Sequence, residues 1–349
     1  MKYLHIAPNE KFINPFINFI NRNFNENEHL FLIIQGVSES IIKIPRKKNV
    51  KKTSKNINSI ITLIKSMNKC EKLFLHGLFN SKIILLLFLQ PWLLKKSYWI
   101  VWGGDLYHYK FRKRNIKSDI IEYIKSFVIK RMGGLITHIK GDYELARAWY
   151  GARGKYYYSF IYPSNLFKEY DLSKVEKDNG VKYIQVGNSA DPSNNHFDIF
   201  DKLSKFKDDK LEIICPLSYG DLEYRQTVIN AGRKIFGDKF NPITELLPFE
   251  EYLNLLAKVD IAVFAHKRQQ AIGNITTLLG LGKKVYIRDD ITTWDFCKEH
   301  GLKVYSINNF DEKVFLQDIP EDEKKRNIEN VKCYFSEEKL VQDWRKIFL

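Results

Sequence analysis

The sequence predicts an open α/β fold in two halves that share one cleft, and three observations carry that expectation. Short apolar runs of strand length alternate with segments of helical period along the whole chain. Five of those runs end in chemistry-bearing residues rather than plain turns: HGLFN (76–80), VWGGDLY (101–107), VGNSADPSNNH (186–196), PLSYG (216–220) and HKRQQAIGN (266–274). Ligands of open α/β sheets bind beyond the carboxyl ends of the strands, which is where these loops fall. Finally, a polar stretch, NLFKEYDLSKVEKDNG (165–180), separates two such loops from the other three and reads as a linker.

In the first half, strands are expected at 3–7, 30–36, 72–76, 98–103, 135–139 and 156–162, where β-branched and aromatic residues crowd. Helical period marks 56–68, 119–132 and 142–151. Within 119–132, Ile120, Ile124, Phe127, Val128 and Met132 share the expected buried face, with Lys125 and Arg131 off it. IILLLFLQPWLL (83–94) falls short of the ~20 apolar residues of a membrane span and carries Gln90 and Pro91. It reads either as a buried helix or as an apolar edge resting on a bilayer, backed by Lys95 and Lys96. The second half restarts with strands at 181–187, 211–216, 243–247, 261–266, 284–288 and 303–307, and a helix over 248–260 that Pro248 can open. In the tail, 336–349, Leu340, Trp344, Phe348 and Leu349 have helical spacing. Domains are therefore expected at 1–170 and 178–335.

A chain of 349 residues is long for one α/β domain and comfortable for two. Cys70, Cys215, Cys297 and Cys333 are far apart and lack metal-ligand spacing, and the chain opens directly on the strand-like YLHIA. Both features point to a reduced, cytosolic protein. Residues 1–180 hold 31 lysines and arginines against 14 acidic residues, while 181–349 hold 25 against 27. A basic first half would attract nucleic acid or an anionic membrane. Much of the excess lies in IPRKKNVKKTSK (44–55) and KFRKRNIK (110–117), which read equally as solvated loops.

In VGNSADPSNNH a strand enters a Gly-Asn-Ser turn, with a helix expected from Ser193 or Asn194. Gly187 would let a ligand approach the backbone, and free N–H groups at the helix start favour an anion. Ser189, Asn194 and His196 suit sugar hydroxyls or phosphate, although a turn with an N-cap needs the same residue types. In HKRQQAIGNITTLLGLG (266–282), Arg268, Gln269 and Gln270 lie between a strand and a helix opened by Gly273. A guanidinium beside a positive helix end suits a diphosphate and would stabilise a departing nucleotide without a metal. The plainer reading is a surface arginine beside a glycine turn. Asp105, just past Gly103 and Gly104, is a candidate general base or a helix cap, with His76 as a rival base. Asn80 is expected to begin the next helix. There is no GxGxxG, no Gly-Lys-Ser/Thr loop, no GxSxG elbow, no Asp-x-Asp after a strand and no zinc spacing. No cofactor and no metal are expected.

HGLFN, WGGDLY, VGNSADPSNNH and RQQAIGN, in this order and spacing, resemble glycosyltransferase family 56. These are the bacterial 4-acetamido-4,6-dideoxygalactose (Fuc4NAc) transferases of enterobacterial common antigen synthesis, also labelled 4-alpha-L-fucosyltransferases. The similarity runs over almost the whole chain. It implies a metal-independent GT-B glycosyltransferase with two Rossmann-like domains facing a central cleft, and a last helix that crosses back to the first domain. It further implies a dTDP-linked donor, an undecaprenyl-diphosphate-linked acceptor, and a peripheral place on the cytoplasmic face of the inner membrane. By matching position, Gly187, Asn188, Ser189, Ser193, Asn194 and His196 would line the donor side, with Ser218 and Tyr219 of the neighbouring loop. Arg268, Gln269, Gln270, Gly273 and Asn274 would hold the diphosphate and sugar. His76, Asn80, Gly103, Gly104 and Asp105 would face the acceptor or the reaction centre. Gly104, Pro192, Ala271 and Asn274 depart from the family pattern beside the sugar pocket.

The expected mechanism is direct displacement. Asp105 or His76 takes the acceptor's hydroxyl proton while Arg268 and the helix end at Gly273 steady the leaving nucleotide diphosphate. Three other readings compete: a related transferase of O-antigen or capsule synthesis with another GDP-, UDP- or dTDP-deoxysugar, a basic nucleic-acid-binding protein, and a sugar-binding homologue without catalysis. The lack of a nucleic-acid motif counts against the second, and the presence of Asp105 and Arg268 against the third.

Overall fold

Parallel strands need a crossover between them, and a helix or long connection follows nearly every strand of this chain. In the computed structural model, which describes residues 1–34, 46–53, 56–171 and 175–349, all named strand pairs are parallel and form two separate sheets. One compact unit comprises Met1–Leu166 with Glu337–Leu349, and the other Phe167–Ser336.

The first unit runs β1 (Tyr3–Pro8), α1 (Ile13–Asn23), β2 (His29–Ile34), β3 (Val50–Thr53), α2 (Ile57–Lys69), β4 (Lys72–His76), α3 (Ser81–Leu89), β5 (Ser97–Ile100), α4 (Gly104–Phe111), α5 (Ile116–Arg131), β6 (Gly134–Ile136), α6 (Lys140–Tyr150) and β7 (Lys155–Tyr157). Its strand order is β3-β2-β1-β4-β5-β6-β7, so the winding reverses between β1 and β4. Period-two alternation gives the sheet two unlike faces. Leu4, Ile6, Leu73, Leu75 and Trp99 join an aliphatic core with α2, α3 and α5. Tyr3, His5, Phe31, Phe74 and His76 form an aromatic face, on which Phe16 of α1 packs. The chain's last helix, α14 (Glu337–Phe348), closes that face with Trp344 and Phe348. Trp344 Nε1 donates to Ile161 O at 3.1 Å. Lys72 Nζ donates to Ile347 O and Phe348 O at 3.0 and 3.1 Å, a cationic end for this helix.

The second unit runs β8 (Lys182–Val186), α7 (His196–Leu203), β9 (Leu211–Pro216), α8 (Leu222–Phe236), β10 (Phe240–Ile243), α9 (Phe249–Lys258), β11 (Ile261–Phe264), α10 (Ile272–Gly280), β12 (Lys284–Ile287), α11 (Thr292–Glu299), β13 (Tyr305–Ser306), α12 (Glu312–Phe315) and α13 (Glu321–Tyr334). The order β10-β9-β8-β11-β12-β13 reverses between β8 and β11. Gly280 lets α10 approach closely, since a Cβ there would fall 2.4 Å from the Phe167 ring and 2.8 Å from Val331.

Three expectations need correction. The strand foreseen at 243–247 is instead β10, Phe240–Ile243, at the sheet edge. Pro242 is tolerated there because an edge strand leaves some amides unpaired, and Phe240 fixes the register by packing on Phe200. The basic run around 50–53 is not loop but the edge strand β3, whose exposed Lys51 and Lys52 discourage further pairing. The ends of IPRKKNVKKTSK, residues 35–36 of the expected second strand, and 172–174 of the linker lie outside the described residues. On α5 the buried stripe is Glu122, Lys125, Val128 and Ile129, whereas Ile120 is exposed. Lys125 is drawn in because its ammonium donates to Asp105 O, and Glu122 because it accepts from the Tyr150 hydroxyl.

Candidate functional site

In the second unit, the loops after β8 and β11 lie side by side at the strand reversal, the position open α/β sheets use for ligands. One buried side chain joins them. Asn194 Oδ1 accepts from Asn188 N at 2.9 Å and lies 2.9 Å from His266 Nε2. Asn194 Nδ2 donates to Ser189 Oγ at 3.1 Å and to Asp191 O at 3.0 Å. His266 Nε2 also lies 3.1 Å from Asn188 Oδ1, so this nitrogen carries the proton toward two amide oxygens. Burial, with the Arg268 charge adding to it, lowers His266 to about 3 and keeps the ring neutral.

Gly187 has φ +64, and a Cβ on it would sit 2.8 Å from both Asn194 Oδ1 and His196 Nε2. Only a bare backbone fits there. Ser193 Oγ donates to Gln270 Oε1 at 2.8 Å, and Gln270 Nε2 reaches Asn188 Oδ1 at 3.4 Å. The loop after β9 is tied in by Ala190 N to Tyr219 O at 2.7 Å and by Asn188 Nδ2 to the Tyr219 hydroxyl at 2.8 Å. Ser218 lies half-buried beside Tyr219, its carbonyl facing Arg225.

Arg268 is half-buried, with Nη1 donating to Gln269 O at 3.1 Å. It is close enough to Asp191 to act on that carboxyl. Burial alone would raise Asp191, but hydrogen bonds from Ser193 and the charge of Arg268 outweigh it and hold it low. The helix α10 begins one residue before Gly273. Its N-cap, Ala271, sits in the left-handed region (φ +59) and supplies no side-chain acceptor to the first amides. Asn274, one residue on, lies near the hydroxyl of Tyr252. A cavity of about 490 Å³ adjoins this cluster at Ala265, lined also by Phe197, Asp198, Arg288 and Asn308.

One donor-side assignment changes. Asn194 and His196 are fully buried. Asn194 has every polar atom satisfied by its own loop and His266, so it shapes the turn rather than meets a ligand. His196 sets Nδ1 3.2 Å from the Tyr224 hydroxyl, and its buried Nε2 lies beside the Gly187 turn without a partner among the described residues. The helix here starts at His196, after a 3₁₀ turn over Pro192–Asn194 capped by Asp191. Asp191 and His266 were not foreseen as site residues. His266 ends the apolar run IAVFAH as His76 ends KLFLH, which is the signal the sequence offers.

In the first unit, the carboxylate of Asp105 is 1% exposed and accepts four N–H groups. Leu78 N and Trp99 Nε1 reach Oδ2 at 2.9 and 2.6 Å, and Trp102 N and Leu106 N reach Oδ1 at 3.0 Å each. A general base needs a free lone pair facing substrate, so Asp105 is a loop organiser and not a base. Gly103, at φ +79, makes the turn that brings it there, and Gly104 starts α4. Asn80 Oδ1 is committed to capping α3 through Lys82 N and Ile83 N at 3.0 and 3.3 Å.

His76 is also removed as a base. Trp102 Nε1 donates to the Tyr162 hydroxyl at 2.7 Å, which lies 2.7 Å from His76 Nδ1. His76 Nε2 lies 3.1 Å from His5 Nδ1, and His5 Nε2 lies 3.1 Å from His29 Nδ1. The indole N–H donates to the Tyr162 oxygen, and the other contacts continue as one hydrogen-bonded chain from Tyr162 through His76 and His5 to His29. Both nitrogens of His76 are engaged inside the protein. Burial pushes His5 well below the usual imidazole range, with His29 and His76 adding to the effect. Burial also lowers His29 to about 4 and His76 to about 3. Among the described residues, no group of three or more His, Cys, Asp or Glu is arranged to hold a metal ion.

A family model described as 4-alpha-L-fucosyltransferase, glycosyl transferase group 56, matches residues 7–349. The structure is similar to a glycosyltransferase from Rickettsia africae (TM-score 0.67, 12% identity, covering 99% of this chain and 98% of that one). It is similar to Anabaena HepE in complex with UDP-glucose (0.71, 11%, 99% of each chain). Sucrose-phosphate synthase from Thermosynechococcus elongatus also matches (0.72, 8%, 100% and 98%). The fold shared with these neighbours is GT-B, with two Rossmann-like domains.

Two outcomes follow from this geometry. An amide at 105 would turn an NH₂ toward two donors, so Asp105→Asn should lower unfolding stability by about 1–3 kcal/mol. An unchanged denaturation midpoint would return the carboxylate to the role of an accessible base. The three linked imidazoles stay unprotonated in the folded unit but take up protons near pH 6.5 when unfolded, so stability should fall with falling pH from there to about pH 4, by roughly 1.4 kcal/mol per unit for each. Urea midpoints followed across that window test it, and a flat profile would mean the rings are solvated.

Proposed function

Because the chain belongs to glycosyltransferase family 56 and is a glycosyltransferase, we propose that it transfers a Fuc4NAc-like deoxy-amino sugar from a dTDP-linked donor to an undecaprenyl-diphosphate-linked saccharide. One observation carries the donor half of this reading. Arg268, the α10 start without a side-chain cap and the Gly187 turn meet at the strand reversal of the second sheet. The cation and amides suit the phosphates of a nucleotide. Anabaena HepE, of the same fold, is known in complex with UDP-glucose, which supports a nucleotide-sugar here.

The chemistry asked of the site is stabilisation of charge as the nucleotide diphosphate departs. Arg268 and the first amides of α10 do this by being fixed in place before the bond breaks. Gln269, Gln270, Ser193, Tyr219 and Asn274 are at least partly exposed and take the direct contacts. Asn188, Ser189, Asn194 and His266 hold those groups in position.

The acceptor half draws support from an exposed face of the first unit. α3 and α5 pack together through Phe88 and Phe127, whose rings are 4.9 Å apart. Outward they and the turns beside them present Leu85, Leu89, Trp92, Ile116 and Ile120 with Lys82, Lys95 and Lys117. Among the described residues no helix is long and apolar enough to cross a membrane. Large apolar side chains among lysines are what an anionic bilayer surface holds, and a lipid-diphosphate acceptor resides there.

Arg268→Ala should lower turnover roughly 10²–10³-fold, the loss typical of one preorganised donor, and weaken dTDP binding in a thermal-shift panel of dTDP, UDP and GDP. Unchanged kinetics would remove its role, and a UDP or GDP preference would move the donor class. Leu89→Ser with Trp92→Ser should weaken binding to anionic vesicles at least about ten-fold, given roughly 1.5–3 kcal/mol per large apolar side chain, while dTDP binding stays intact. Equal vesicle binding would leave that face as ordinary surface.

A further inference from the structure

The carboxyl edge of the first sheet is built unlike that of the second. At the turns after β4 and β5, amides at the helix starts are already capped from within. Asn80 takes those of Lys82 and Ile83, and Asp105 takes those of Trp102 and Leu106. A phosphate would have to displace these side chains. What this edge presents instead is rings. Phe79, after β4, is 56% exposed. Trp102, after β5, meets it at 5.8 Å and 64°. Phe12, after β1, meets Trp102 at 6.2 Å and 88°. The three strands are neighbours, and the winding reverses between β1 and β4.

Both aromatic residues are positioned by features that simple packing does not require. Gly77 has φ +80, and a Cβ there would fall 2.7 Å from the Phe79 ring; one on Gly104 would lie 3.6 Å from the same ring. Trp102 is held at both ends, its amide by Asp105 Oδ1 and its indole N–H by the Tyr162 hydroxyl. Tyr162 is oriented in turn by the His76–His5–His29 chain. A tryptophan fixed before binding has little rotamer freedom left to lose when a ligand arrives. An exposed phenylalanine gains when an apolar surface covers it.

We propose that the exposed ring of Phe79, braced edge-on by Trp102, is a stacking platform for a pyranose ring of the saccharide acceptor, with Tyr162 as the residue that positions Trp102. The proposal rests on the glycosyl-transfer reading above. A pyranose offers a face of C–H groups with hydroxyls around its rim. The C–H face covers an aromatic ring, whose negative face attracts it, while the rim meets polar neighbours. Here the rings are flanked in sequence by Asn80 and Ser81, which suits such a rim better than it suits an isoprenoid tail.

The test uses the full chain, with a disaccharide alkyl diphosphate as acceptor probe. Phe79→Leu keeps apolar bulk but removes the ring face. It should raise the acceptor KM about ten-fold, equivalent to roughly 1.4 kcal/mol, with kcat and dTDP binding unchanged, and Phe79→Trp should restore it. Tyr162→Phe should raise the same KM with kcat preserved. Tryptophan fluorescence should change when the probe binds the wild-type protein, and not in Trp102→Phe. This direct binding signal judges the platform even if transfer from a dTDP-sugar fails, so the two readings fall separately. The platform is overturned if Phe79→Leu matches wild type in acceptor KM or if its loss falls on dTDP binding. It is equally overturned if the effect appears only in vesicle binding, which would make Phe79 a lipid contact.

Discussion

Everything the second unit offers a ligand depends on the buried side-chain amide of Asn194. Its oxygen faces two donors, Asn188 N and His266 Nε2, and its nitrogen faces two acceptors, Ser189 Oγ and Asp191 O. A fully buried amide with each partner in place is rigid, because breaking any one bond leaves a desolvated polar atom. That rigidity brings the loop after β8 to the end of β11. Gly187 follows as a necessity, since a Cβ would occupy the space of the Asn194 oxygen. Arg268, Gln270 and the start of α10 inherit their positions from this joint.

The first unit solves the same problem with a different residue, and the difference is one of hydrogen-bond polarity. Around Asp105 all four partners are N–H groups. A carboxylate, which only accepts, matches four donors, whereas an amide matches a mixed set. The choice of Asp in one loop and Asn in the other thus reflects what surrounds each side chain. A Tyr–His–His–His chain then carries the order of the Trp102 loop into the aromatic face of the sheet, where α14 closes over His5 and Phe74.

Function separates along these lines. The second unit presents a guanidinium and helix amides, a set suited to a nucleotide diphosphate. The first presents rings and an apolar, lysine-bearing helical face, a set suited to a saccharide on a lipid. No side chain of either unit is left as an assigned base, because Asp105 and His76 are both engaged internally.

The sequence alone determined the α/β class, most of the strands, the amphipathic tail helix and the loops that matter, because periodicity and strand-end composition are local properties of the chain. It also marked Arg268, Gln270 and Gly187 by their place between strand and helix. Only the tertiary structure decided which polar residues face outward. Asp105, His76, Asn194 and His196 are the residue types expected of catalysis or binding, yet each is buried against partners 1 to 86 positions away. Likewise β10 was set by pairing with β9, and Lys125 was buried by a carbonyl twenty residues earlier in the chain. Exposure and hydrogen-bond saturation depend on groups remote in sequence, so no local pattern contains them.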